Sequence, residues 1–157
     1  SVPVLLAVYG MEKNRREELT WLSRAWFATD RLTMGTDTPG GTGVIPRGML
    51  RNILLLAAVC DLTPGEAIAV ATGNTARAHK LDEGFLRPGA PADLVIAGPV
   101  EGSAGTTLSD AIAHGDLPGI SYVFIDGEIV VDTRSRQTPP PASPASLVMD
   151  TGGCPFC

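Results

Sequence analysis

Hydrophobic positions along this chain change their period several times, and each change predicts an element. In "MEKNRREELTWLSRAWFA", residues 11–28, charges come early and Leu19, Leu22 and Trp26 then recur at helical spacing, which predicts an amphipathic helix. "RLTM" follows as a short strand that delivers the chain into the glycine-rich "GTDTPGGTG". Pro46 suits the first turn of a helix. Beyond Ile53, "RGMLRNILLLAAVCD" is apolar nearly all round, which predicts a helix buried on more than one side. The next start is written in side chains: Thr63 as N-cap, Pro64 as first helical residue, Glu66 completing a capping box, and Leu62 placed as a staple. Gly73 reads as the close of that helix and Asn74 as the cap of a short one through "TARAHK". Helix, strand, long loop and helices in that order form the pattern of a parallel sheet wrapped by helices.

The texture changes after Leu81. "GFLRPGAPADLVIAG" passes through Gly84, Pro88, Gly89 and Pro91 before the apolar run at Leu94–Ala97, a strand entered through a rigid turn. "TLSDAIAHGD" predicts a short helix ended by Gly115, and "ISYVFIDGEIVVD" predicts two strands joined in a hairpin at Asp126-Gly127. From Ser135 onward, "SRQTPPPASPAS" has too many prolines for a helix or a sheet interior and reads as a flexible or extended tail.

Composition narrows the function classes. The chain has 157 residues, enough for one domain, and 44% hydrophobic against 18% charged residues is the balance of a packed protein. A formal charge of −5 without a Lys/Arg cluster argues against nucleic acid as a partner. The opening run "SVPVLLAVYG" is too short for a membrane span and lacks the flanks of a signal peptide, so it reads as the interior of something longer, with no membrane partner. Three cysteines without regular spacing favour a reducing, cytoplasmic compartment. Cys154 and Cys157 form a terminal C-x-x-C, but no second Cys/His pair stands at zinc-finger spacing, and an adventitious tail is the better reading.

Candidate chemistry centres on Asp37, which follows a strand and precedes a run of glycines. From the bare residues it is equally an Asx-type turn before Thr38-Pro39 or a carboxylate at a strand end where a ligand can approach. "GGTG" is not a P-loop, since Val44-Ile45-Pro46 stands where a Lys-Ser/Thr pair is required. Arg47 and Arg51, one helical turn apart, suit a charged fork for a substrate carboxylate, although solvated surface arginines are the commoner case. His79 and His114 each sit where a short helix ends, and an imidazole there has an ordinary electrostatic role.

"GTDTPGGTGVIPRGMLRNILLLA", "LTPGEAIAVATGNTARA", "LRPGAPADLVI" and "GDLPGISYVFIDGEIVVDTRSRQTPP" together resemble the C-terminal part of a metal-dependent amidohydrolase, and within that family the enamidase-like branch that opens cyclic amides. The "PG-x-PADLVI" stretch and the DG hairpin are shared widely in the family, while "GGTGVIPRG" and "GDLPGIS…IDGE" are more specific. The resemblance implies an α/β fold: residues 1–83 as the last helix-strand-helix portion of a (β/α)8 barrel, residues 84–138 as strands of a small β-rich composite sandwich domain, and residues 139–157 as a disordered proline-rich tail. A whole barrel needs about 250 residues, so the chain is expected to be a fragment whose exposed strand edges and helix faces drive it into a homo-oligomer.

The same resemblance implies that Asp37 shuttles a proton from an activated water to the leaving nitrogen of a small cyclic amide, and that it is also a candidate metal ligand. Thr38, Gly40, Gly41 and Arg47 are then candidate substrate-binding residues. Divalent metals, zinc and/or iron, belong to the parent enzyme through ligands on strands that this chain lacks, and none is expected in the isolated chain. The rival is a non-catalytic assembly module in which Asp37 is idle.

Overall fold

The structure is a computed structural model and describes residues 4–7, 31–36, 47–60 and 62–147. The chain is mixed α/β. Strand β1 (Val4–Ala7) pairs in parallel with β2 (Leu32–Gly35), Val4 opposite Leu32 and Ala7 opposite Gly35. Parallel partners need a crossover connection of a dozen residues or more, which the intervening segment is long enough to supply; the helix predicted over 11–28 lies outside the described residues.

Leu32, Thr33 and Met34 are all buried, so β2 is covered on both faces, as a strand of a parallel sheet is. The helices that follow it are α1 (Gly48–Val59), α2 (Pro64–Ala71) and α3 (Gly73–His79). β2 packs against α2 and α3, while α1 packs against α2 and a later short helix, α4 (Leu108–Ala113). One cluster joins Leu32 and Met34 of β2 to Ile53 and Leu56 of α1, to Cys60 and Leu62 between helices, to Ala67 and Val70 of α2, and to Ile112 of α4. Burial of α1 on more than one side is therefore observed, with Arg51 and Ala58 left to solvent. Burial also pushes the Cys60 thiol pKa upward, which keeps it protonated and inert.

Helix boundaries show where the local signals hold and where packing overrides them. The capping box at α2 forms as expected: Glu66 Oε2 accepts from the Thr63 backbone N–H at 2.8 Å, and Thr63 Oγ1 accepts from the Glu66 N–H at 3.3 Å. Gly73 does not close that helix. Thr72 stands between α2 and α3, and Gly73 opens α3. A Cβ at Gly73 would meet Phe85 Cε1 at 2.9 Å, so glycine is needed there for close approach of the following loop. Asn74 is accordingly inside α3 rather than its cap, buried, with its Oδ1 accepting from Arg77 Nη1 at 3.0 Å. The helix start assigned to Pro46 falls outside the described residues, and α1 begins at Gly48 because Arg47 adopts a left-handed backbone, φ 62°.

The second sheet is antiparallel, with β4 (Gly119–Ile125) between β3 (Leu94–Gly98) and β5 (Glu128–Val131). Its turn is the predicted Asp126-Gly127 pair, both residues at positive φ, the backbone that a two-residue hairpin requires. The proline-rich segment is laid along this sheet as far as Leu147, not loose. Thr138 Oγ1 accepts from the Ile120 N–H at 3.1 Å, Ala142 N–H donates to the Pro99 carbonyl at 2.8 Å, and Pro141 bridges to Val100. The expectation of a disordered tail is thus corrected over residues 139–147; residues 148–157, including Cys154 and Cys157, lie outside those described. Among the described residues no helix is long and apolar enough to cross a membrane.

Candidate active site

The carboxyl end of β2 and the first turns of α1 are joined by one side chain. Asn52, in the second turn of α1, donates from Nδ2 to the carbonyl of Gly35, the last residue of β2, at 3.3 Å. The two elements that flank residues 37–46 are thereby tied to each other. Ligands of α/β proteins bind outside the carboxyl ends of such strands, where loops replace helices and polar groups can be reached.

Asp37, Thr38, Gly40 and Gly41 lie outside the described residues. Arg47 is described, and its surroundings are unusual in two ways. Its backbone is left-handed, which costs an ordinary residue about 1–2 kcal/mol. Its Nε is buried and, among the described residues, has no hydrogen-bond partner. A buried guanidinium N–H left unmatched carries a desolvation cost that a ligand acceptor would remove. Arg47 also makes no side-chain cap at α1, and the first turn of that helix holds no acidic residue. The two arginines expected to act as a fork differ: Arg47 is half-buried and Arg51 exposed.

The other sequence candidates are accounted for by the fold. His114 caps the end of α4, its Nδ1 2.7 Å from the Asp110 carbonyl oxygen, and His79 is exposed at the end of α3. Among the described residues no three His, Cys, Asp or Glu side chains come together to hold a metal ion. Asp93, in the family-wide "PADLVI" stretch, accepts from the Asp126 N–H at 2.8 Å and so clamps the hairpin turn. Asn52 was not among the sequence candidates. The available signal was its place inside an apolar helix, where asparagine is a poor helix former and needs a partner to justify it.

Comparison with known proteins fits this arrangement. The amidohydrolase family profile matches residues 12–130 and so runs through β2, the Asp37 loop, the helices and the hairpin. Enamidase of Eubacterium barkeri is 46% identical over 118 residues, a region that makes up 75% of this chain and 30% of that protein. Adenine deaminase 4 of Rhizobium meliloti is 28% identical over 141 residues, 82% of this chain and 22% of the relative. The crystal structure of enamidase superposes with a TM-score of 0.73 at 45% identity, covering 76% of this chain and 31% of that one. The chain thus spans about a third or less of the length of the relatives it matches. A profile that crosses both halves of the fold, and a solved relative that superposes on most of it, leave one assignment: the chain belongs to the amidohydrolase family.

Proposed function

We propose that this chain is the C-terminal portion of a hydrolase that cleaves a non-peptide C–N bond of a small cyclic amide, in the manner of enamidase. Residues 1–83 are read as the last part of a (β/α)8 barrel and residues 84–138 as strands of a β-rich companion domain. Asp37 is the proton carrier: its carboxylate takes a proton from the attacking water as the C–O bond forms, then gives it to the ring nitrogen as the C–N bond breaks. Arg47, whose Nε is buried and has no hydrogen-bond partner among the described residues, is assigned to an anionic substituent of the substrate, with Thr38, Gly40 and Gly41 as further substrate-binding residues.

The divalent metals that the family resemblance implies would activate the water. Among the described residues no three side chains come together as a site for them, Asp37 remains the one candidate ligand named in this chain, and no step is assigned to the metals here. The observation that carries the reading is the 46% identity to enamidase across three quarters of the chain. The test is made on the complete gene product that contains this chain, with a panel of cyclic amides. Asp37→Asn is expected to lower kcat by roughly three orders of magnitude while metal content stays unchanged. The rival, a non-catalytic module, draws on the modest share of enamidase that the match covers; it prevails if the complete protein turns over no cyclic amide, or if Asp37→Asn retains the full rate.

A further inference from the structure

Three local rules are broken at Arg47. Its backbone is left-handed, φ 62° and ψ 22°, a conformation that glycine adopts without strain, yet the neighbouring glycine stands one place on, at Gly48, already inside the helix. Its positive charge stands at the start of α1, the end at which the helix dipole favours a negative one. Its Nε is buried without a hydrogen-bond partner among the described residues. The helix itself offsets none of this. Gly48–Val59 contains no acidic residue, Arg51 adds a second positive charge, and Asn52 has its Nδ2 engaged with the Gly35 carbonyl. Strain and unmatched charge that a fold does not need for itself gather where a ligand supplies the compensation.

We propose that Arg47 is a specificity-determining residue retained at a cost in stability: a carboxylate carried by the substrate accepts from its Nε–H and supplies the negative charge that this end of α1 lacks. The inference rests on the cyclic-amide reading and adds to it a preference for acidic over uncharged substrates, together with a stability that is given up to keep that preference. Nε–H and the Nη–H beside it lie on one edge of the planar guanidinium, the geometry that grips both oxygens of a carboxylate. A lysine, with a compact ammonium on a flexible stem, does not reproduce that edge.

The test uses the complete protein and matched cyclic amides, each with and without a ring carboxylate. Arg47→Gly relieves the backbone and removes the guanidinium. It is expected to lower kcat/KM for the acidic member of a pair about 10- to 100-fold, chiefly through KM, and to leave the uncharged member within about twofold. Its unfolding temperature without substrate should rise by about 1–3 °C. Arg47→Lys keeps the charge and the strained backbone; it should lose about tenfold on the acidic member and gain no stability. If Arg47→Gly turns over both members as the parent does, the specificity role is wrong and the hydrolase reading stands. A lower unfolding temperature for Arg47→Gly overturns the proposal too, since the residue would then serve the fold. If the parent turns over no member of any pair, the cyclic-amide reading fails and takes this inference with it.

Discussion

The β2–α1 junction and the β3–β4–β5 sheet use their polar groups in opposite ways. From Asp93 to β4, in the sheet and the segments that connect its strands, three carboxylates are occupied by the fold itself. Asp93 clamps the Asp126 turn, Asp110 completes a capping box with Thr107, and Asp116 Oδ2 accepts from both Ser103 Oγ and the Ala104 N–H at 2.8 Å. At the junction, Arg47 Nε is buried and unmatched among the described residues, and α1 starts without a side-chain cap. Groups that a fold satisfies internally are structural; groups it leaves open mark where something else binds. The stretch most readily recognised as belonging to the family, "PADLVI" with its DG hairpin, is on this view a structural signature, and the less widely shared glycine-rich stretch is the one proposed as functional.

That contrast predicts that changes in the sheet region move stability and leave turnover of the folded enzyme alone. The largest such effect is expected at Gly105. A Cβ there would lie 2.2 Å from the Ala111 backbone nitrogen, a contact relieved only by moving backbone, so Gly105→Ala should cost about 3 kcal/mol or more in thermal unfolding. A fully stable Gly105→Ala protein would show that the loop before α4 is not tied to that helix as described. Asp93→Ala is milder. It frees the exposed Asp126 N–H, which water then solvates, and about 1 kcal/mol of stability should be lost with kcat unchanged. A fall in kcat at constant stability would move Asp93 out of the structural class and break the comparison.

Legibility in the sequence divides along the same line. The capping box at Thr63, the strand at Leu94 and the Asp126-Gly127 turn depend on residues within a few positions of one another, and each is formed where local chemistry placed it. Gly73 was misread because its reason, the Phe85 ring, lies twelve residues on and local rules see only a possible helix end. Asn52 was missed for the same cause, its partner being Gly35, 17 positions back in another element. Pro141 escaped as well: proline content reports what a segment cannot form, and says nothing of an edge it can lie against. For the candidate site, Asp37 and Arg47 are named from the sequence, and of the two only Arg47 is among the described residues. The side chain that links the end of β2 to α1 could only be found in three dimensions.

The smallest predicted effect concerns acid. Hydrogen bonding from the Thr107 hydroxyl lowers the pKa of Asp110, and hydrogen bonding from the Ser103 hydroxyl lowers that of Asp116; the Thr107 and Ala104 N–H groups and the nearby His114 add to the shifts. A carboxyl whose folded pKa lies below its unfolded value stabilises the fold at all pH above the unfolded value, and that contribution is lost as pH falls through the folded one. Asp110 is exposed and Asp116 half-buried at the surface, so the stabilisation is screened and modest. Replacing both, Asp110→Asn with Asp116→Asn, should lower the unfolding temperature slightly near neutral pH, and the gap from the parent should close as pH falls through the lowered folded-state pKa values. Thermal unfolding of the two proteins across that range is the check. A gap that persists unchanged into acid would mean that the lost geometry of the asparagine side chains, not the carboxylate charge, sets the difference, and the sheet region would then owe its internal satisfaction to shape more than to ionisation.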